Sequence, residues 1–543
     1  MAAGTVTSRV TGIARDITMT AALGFFLVSD AFSLGNSLPN MIYILILGGA
    51  LNAVFIPQLV RKMKDDADDG RAYADRLITI TAIALLALSI ISIILAPWIV
   101  DLYTPSDYPQ TEFELAVAFA RLCLPQIFFY GLYTMFSQVL NTRGKFGAPM
   151  FAPIANNIVA ISTFLLFIYF AGTSAAADGN LTSGQVWLLG LGTTLGVVIQ
   201  ACILIPVLYR AGYVWRPHFD WRGYGLRKAG KLAAWTIGLV LVNQLTYLVI
   251  TRFATQANIN AITSGVAAAG LTTYQKAHLV FMLPHSVITV SVITALLPSL
   301  SRVAHSGKLT QVSHDLVGAM RLVSFLIIPI TAMILVGGTS VAVLLFDFGA
   351  ATTDQAQVLG QVISVFMLGM LPFTLFYVLL RGFYSLEDTR TPFFITVIFS
   401  LVFLGLLVPF FGQLSGGGVQ ITYIALCYSI SYWVGLVIAW VVLARKLGGL
   451  SSLSTFGSIG RMLVVGILSV AVMLFTQNRL NELFFGDAGI VDYSEKTTLL
   501  IRLFLVVLSG AASYIVLSWL LRVPEITLAY RVFRDKLSPK VNS

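Results

Sequence analysis

The sequence predicts an all-α polytopic membrane protein of about 14 transmembrane helices, set out as two six-helix lobes plus two C-terminal helices. Three observations predict it. Of 543 residues, 57% are hydrophobic and only 11% are charged, against about 25% charge in ordinary globular domains. Apolar segments near the ~20 residues needed to span a bilayer fill almost the whole chain. Lys and Arg gather in alternate connections between those segments, the mark of a positive-inside topology.

The apolar segments run approximately over 6–28, 40–60, 77–100, 115–140, 148–171, 186–209, 233–254, 275–300, 318–345, 357–383, 392–412, 419–444, 458–477 and 498–522. Connections of one parity are basic. They hold Arg61, Lys62, Lys64, Arg71 and Arg76, then Arg143 and Lys145, then six basic residues from Arg210 to Lys231. The same parity continues with Arg302 and Lys308, Arg390, Arg445 and Lys446, and a tail from Arg522 to Lys540. The other parity is poor in Lys and Arg, with Arg252, Arg479 and Lys496 as the main exceptions. The alternation places both termini in the cytoplasm. The charges of the first segment lie inside its apolar run rather than before it, which does not fit a cleavable signal peptide.

Two stretches carry a weak internal repeat: SLPNMIYILILGGALNAVFIPQLVRK from Ser37 and VFMLPHSVITVSVITALLPSLSRVAH from Val280. Each has a Pro, an apolar stretch, a second Pro and a basic exit. They are the second and eighth segments, which divides the chain into an N-terminal lobe (1–213), an interfacial linker (214–232), a C-terminal lobe (233–446) and two further helices with a basic tail (447–543). Two parallel repeats of six are a common transporter plan. The many Pro residues inside segments, among them Pro57, Pro125, Pro284 and Pro372, fit either helix kinks made for packing or a bundle that rocks.

Composition excludes several classes. The three cysteines, Cys123, Cys202 and Cys427, all sit in apolar segments, so neither a disulfide framework nor a metal spacing is expected. No nucleotide-binding loop exists, which argues against ATP-driven transport within this chain. The net charge of +10 reflects basic connections rather than a nucleic-acid partner. Asp65, Asp66, Asp68 and Asp69 lie between Lys64 and Arg71 and read as a solvated linker rather than a metal site. The loop from Tyr213 to Lys231, with Trp215, His218 and Trp221, reads as a segment lying on an anionic leaflet.

The first segment is the anomaly. Arg9, Arg15 and Asp16 stand where a lipid-facing helix carries apolar residues, and each charge at bilayer depth costs at least about 2.5–3.5 kcal/mol. Arg9 and Asp16 are seven apart and share a stripe, with Arg15 rotated about 100° from Asp16. The sharp reading is a cationic, water-filled cavity for an anionic cargo. The plain alternative is that the arginines lie near the helix ends and reach lipid phosphates.

Four stretches resemble the MurJ/MviN-type lipid II flippases, part of the superfamily that also holds multidrug antiporters and polysaccharide flippases. They are SRVTGIARD (8–16) with SDAF (29–32) and LPN (38–40); LNTRGKFGAPMFAPIANNI (140–158); LPHSVITVSVITALLPSLSR (283–302); and RGFYSLEDTRTP (381–392). They occur in the family's order and span the chain. The resemblance implies a non-enzymatic transporter without cofactors in the cytoplasmic membrane. Its cargo would be lipid II, the undecaprenyl-pyrophosphate-linked disaccharide-pentapeptide, carried from inner to outer leaflet by alternating access. The bilayer is its setting, and cell-wall synthesis or division proteins are candidate partners.

Residue by residue, Arg9 and Arg15 match the family's two first-helix arginines, Asp16 matches a residue that orients one of them, and Asp30 matches the acid near that helix's outer end. The resemblance makes Arg9, Arg15, Asp16 and Asp30 the cavity set, with Lys276 added. Asn40 and Arg381 are entrance candidates. The match is incomplete. After LPN the family often has arginine, where this chain has Met41, Ile42, Tyr43 and Ile44, and an acidic-glycine pair is replaced by Gly48 and Gly49. The arginine expected before LPHS is missing from TYQKAHLVFMLP, where Lys276 or His278 is the available substitute. A lysine there keeps the charge and loses bidentate geometry.

His278 and His285 are expected as hydrogen-bonded structure, with a proton relay as the alternative. Asn156, Asn157, Asn243 and Gln244 are expected to join helices rather than line a cavity. RGFYSLEDTRTP reads as a helix–turn–helix in which Asp388 and Thr389 cap the helix that Pro392 helps to start.

Overall fold

The computed structural model describes residues 2–48, 70–219, 226–450, 452–485, 493 and 495–526. The acidic run 65–69, the basic residues Arg61, Lys62 and Lys64, Trp221 and Arg222 of the linker, and the tail beyond residue 526 lie outside them. Every regular element among the described residues is helical. The chain forms two compact units. Unit 1 comprises Met1–Thr272, Phe346–Gln355 and Gly416–Gly418, and unit 2 comprises Thr273–Leu345, Ala356–Ser415 and Val419–Ser543.

Unit 1 contains α1 (Ala2–Leu23), α2 (Leu27–Tyr43), α3 (Arg71–Ile94), α4 (Ala96–Tyr103), α5 (Gln110–Cys123), α6 (Gln126–Thr142), α7 (Gly147–Ala171), α8 (Ser183–Cys202), α9 (Leu204–Arg210) and α10 (Leu226–Thr263). Helices α5 and α6 form one span broken at Pro125, whose missing N–H and fixed φ interrupt the ladder. The core holds Phe32 in edge-to-face contact with Phe119 at 5.2 Å and Phe164 at 5.7 Å. Gly35 lets α2 and α5 approach, since a Cβ there would stand 2.7 Å from Phe119 Cβ and 2.8 Å from Ala120 N. Helix α10 carries its bonds to this unit, with Gln244 donating to Met41 O at 3.1 Å and Gln256 to Asp107 at 2.8 Å.

The described part of the linker is docked on unit 1. Tyr213 donates to Asp75 Oδ1 at 2.6 Å, and Trp215 Nε1 donates to Thr79 Oγ1 at 3.1 Å. Arg143 donates to Ala211 O at 3.1 Å and lies over the Tyr213 ring. Burial first, and then the Asp75 carboxylate, push the Tyr213 phenol well above its ordinary value.

Unit 2 contains most of α11 (Leu271–Pro284), then α12 (Val290–His305), α13 (Leu309–Phe346), α14 (Thr353–Met367), α15 (Met370–Ser385), α16 (Arg390–Phe411), α17 (Gly417–Leu447), α18 (Ser452–Phe485) and α19 (Lys496–Leu520). Its interior is an aromatic cluster: Phe281, Phe366, Phe373, Tyr428 and Tyr432 lie at centroid distances between 4.8 and 6.5 Å. Helices α13 and α14 meet at glycines, where a Cβ on Gly338 would stand 3.0 Å from Gly360 O. Small residues allow such backbone approach in membranes.

Two findings differ from the sequence reading. The second helix starts at Leu27, not near residue 40. The polar run around Ser29, Asp30, Ser33 and Ser37 reads as a loop in sequence. It is helical because each polar side chain finds a partner: Ser29 and Ser33 bond Thr272 Oγ1, and Ser37 donates to Ser33 O. The second finding is the number of spans. Eleven helices among the described residues are long and apolar enough to cross a membrane, or twelve when the bent pair α14–α15 counts as one span. Helix α1 carries three charges and the described part of α2 has 17 residues, so neither is among the eleven or twelve found in the described residues.

Candidate functional site

Arg15 of α1 is held from α7. Arg15 Nη2 donates to Asp16 Oδ2 at 3.0 Å, and Arg15 Nη1 donates to Asn157 Oδ1 at 3.3 Å. Asn157 Nδ2 donates back to Ser8 O at 3.2 Å and Thr11 Oγ1 at 3.0 Å. The Asn157 amide therefore fixes both α1 and the guanidinium. Asp16 is the buried partner, its side chain 11% exposed, while the Arg15 side chain keeps 38% exposure. Two of the five guanidinium N–H donors are used in these bonds, which leaves three for a ligand. Arg9 is exposed on the same helix.

A polar track continues through unit 1. Gln126 donates to Thr194 Oγ1 at 3.0 Å and to Asn36 Oδ1 at 3.4 Å. Tyr130 donates to Gln126 Oε1 at 3.3 Å, and Tyr43 to Thr134 Oγ1 at 2.7 Å. Sequence reasoning missed Gln126 and Tyr130. They stand within the apolar run QIFFYGLYTMF, where the one available signal was the i, i+4 spacing of two polar groups. Asn156 donates to Gln200 Oε1 at 3.0 Å, so this residue joins α7 to α8 as expected of helix glue.

Asp30 is not with the arginines. It is 1% exposed and accepts from Thr272 N at 2.7 Å, Leu271 N at 3.0 Å and Asn258 Nδ2 at 2.7 Å. The first two are first-turn amides of α11, so the carboxylate of one helix caps another, where an anion is favoured, while Asn258 reaches it from α10. Gly270 makes room, because a Cβ there would fall 2.0 Å from Asp30 Oδ2. The Asp30 carboxylate thus sits in an amide-lined clamp. A cavity of about 490 Å3 beside it is lined by Leu27, Glu112, Ala268, Asp354 and Gln355 among others. Carboxylates line it rather than arginines.

In unit 2, Lys276 is buried at 4% exposure. Neighbouring His278 stacks on Tyr274 and receives the Tyr428 hydroxyl at 3.5 Å from Nε2. His285 lies 3.4 Å from Thr374 Oγ1. Arg381 stands over the Tyr384 ring, and its Nε is buried with no partner among the described residues. Asn40 is exposed on α2. The structure thus groups Arg15 with Asp16, and places Arg9, Asp30 and Asn40 elsewhere in unit 1 and Lys276 and Arg381 in unit 2.

In the 386–389 turn Thr389 occupies the N-cap position without a side-chain capping bond, and Asp388 supplies the cap instead. Asp388 caps α16, accepting from Thr391 N at 2.9 Å and Thr391 Oγ1 at 2.6 Å, and pairs with Lys446. Burial pushes the Asp388 carboxyl up, but bonds from Lys446 and Thr391 outweigh it and hold it below its ordinary value.

Comparison with known proteins agrees with this fold. The family model described as lipid II flippase MurJ matches residues 19–488. The chain is 28% identical to a probable lipid II flippase MurJ of Rhizobium meliloti, covering 81% of this chain and 79% of the relative. It is 27% identical to the lipid II flippase MurJ of Burkholderia cenocepacia, covering 72% of each. Among solved structures it is similar to a lipid II flippase MurJ in an inward closed conformation, with a TM-score of 0.72, 20% identity and coverage of 95% and 97%. It is also similar to an inward-facing multidrug resistance MATE transporter, with a TM-score of 0.60, 16% identity and coverage of 82% and 96%. A family-model match over residues 19–488 assigns this chain to the lipid II flippase MurJ family.

Proposed function

We propose that this protein moves lipid II from the inner to the outer leaflet of the cytoplasmic membrane by alternating access, with both termini in the cytoplasm and without chemical catalysis. The observation that carries the reading is the family match over 19–488. The Arg15 arrangement agrees with it. A pyrophosphate cannot cross hydrocarbon unaided, and a guanidinium held at two corners offers its remaining donors to phosphate as a planar fork. Arg9, about 9 Å further along the same helix axis, supplies a second positive charge. Lys276 supplies a third from unit 2, and Asn40 and Arg381 serve entrance. The Asp30 clamp is the contact that opens and closes during the cycle. The energy comes from the membrane potential or an ion gradient, and cell-wall synthesis proteins deliver or receive the cargo.

A second reading keeps the fold and changes the cargo to another polyprenyl-linked glycan or a drug; the likeness to a MATE transporter favours considering it. Reconstituted vesicles separate the two. Protein-dependent arrival of lipid II at the opposite leaflet, with no transport of a cationic drug, is the expected result. Drug transport without lipid II movement would establish the second reading.

A further inference from the structure

The C-terminal helix pair holds a buried arginine that the transport reading leaves unused. Arg502 on α19 is 3% exposed. Its Nε and Nη1 are sealed from solvent and meet no acceptor among the described residues. Arginine stays charged in proteins, and a desolvated charge without a counter-ion is strongly destabilising.

The register of the pair shows what faces it. Ser458 on α18 donates to both carboxylate oxygens of Glu525, just past α19, at 3.1 Å. Further in, a Cβ on Gly510 would stand 2.3 Å from Met473 Sδ. The Gly510–Met473 contact, inside both helices, sets the register of the antiparallel pair. Carrying it on by about two turns brings Asn481 level with Arg502, and Gln477 one turn away, level with Val506. Asn481 Oδ1 and Gln477 Oε1 are themselves buried without a partner among the described residues. Helix α13 closes the third side, with Leu503 Cδ1 2.7 Å from the place of a Cβ on Gly337 and with Val343 and Leu499 in one apolar cluster.

One three-helix junction therefore gathers an unpaired guanidinium and two unsatisfied amides. The two ends of a side-chain amide are interchangeable by rotation. Turning Asn481 and Gln477 gives an all-donor set, which suits an oxyanion and nothing cationic or apolar. Arg502 lies about 9 Å inside the first residue of its helix, Lys496.

We propose that Arg502, with Asn481 and Gln477, binds one phosphate group, that of an anionic phospholipid, and that this anion fastens the α18–α19 pair to α13. The inference is independent of the cargo.

Full-length protein in detergent is titrated with phosphatidylglycerol in one arm and inorganic phosphate in another. Native mass spectrometry counts retained lipid, and thermal unfolding reads stabilisation. The expected result is one phosphatidylglycerol retained by wild type and bound at least tenfold more weakly by Arg502→Gln. The lipid should raise the unfolding temperature of wild type alone. Stabilisation by inorganic phosphate without lipid retention supports the anion site with a free source. Equal lipid retention and equal stabilisation in both proteins would overturn the proposal. So would an Asp487→Asn/Asp492→Asn variant that loses as much stability as Arg502→Gln, because the chain's own carboxylates would then neutralise the arginine. If Arg502→Gln does not fold, Asn481→Leu/Gln477→Leu, which keeps the arginine, carries the same comparison.

Discussion

Arg15 is held at two corners by Asp16 and Asn157, and that arrangement makes its role testable. A charge-assisted hydrogen bond is worth about 1.5–3 kcal/mol, so Arg15→Ala should lower lipid II transport about tenfold or more at matched membrane levels. Arg15→Lys, which keeps charge and loses the fork, should fall between. Asn157→Leu should lower transport less, because it frees the guanidinium without removing it. Asp30 belongs to a different class of residue. Asp30→Ala strands two backbone amides and the Asn258 amide inside unit 1, at about 1–3 kcal/mol for each lost partner. A lowered unfolding temperature in detergent checks this, and Gly270→Ala, which pushes a methyl into the same carboxylate, should reproduce it. The pairing of Arg15 with its neighbour Asp16 could be read from sequence. The Asp30 clamp could not, because its partners are amides more than two hundred residues away.

At the scale of elements, packing and capping give two further expectations. Gly35→Ala should destabilise unit 1 by about 1–3 kcal/mol through overpacking, since its methyl meets backbone on α5 rather than a movable side chain. Thermal unfolding of the purified protein reads that loss. Asp388 predicts a pH effect. Its folded pKa lies below the ordinary carboxylate value, so its contribution is present at neutral pH and is lost as pH falls below about 4. With the Lys446 side chain 41% exposed, the contribution is about 1 kcal/mol or less. The unfolding temperatures of wild type and Asp388→Asn should differ at pH 7 and draw together as the pH is lowered below about 4. The two stretches with similar Pro spacing each contain a π turn, Ile44–Gly48 and His285–Thr289. The helix start at Leu27 was not legible, because a run of Ser and Asp looks like a loop until its buried partners are known.

Across the whole molecule, composition and charge alternation were enough to identify an all-helical membrane protein, because a bilayer admits few other solutions. The motifs at 8–16, 140–158, 283–302 and 381–392 carried the family. What the sequence left open is which of the proposed cavity cations, Arg9, Arg15 and Lys276, meet the cargo, since tertiary placement rather than spacing decides it. The central claim is that Arg15-dependent binding carries lipid II across the membrane. It is tested most directly in a bacterium depleted of its own lipid II flippase, by measuring how much precursor an outer-leaflet probe can reach. Wild type should restore access, and Arg15→Ala at equal membrane levels should not. Correctly inserted wild type that restores no outer-leaflet lipid II would contradict the account of the cargo, and full rescue by Arg15→Ala would contradict the account of the site.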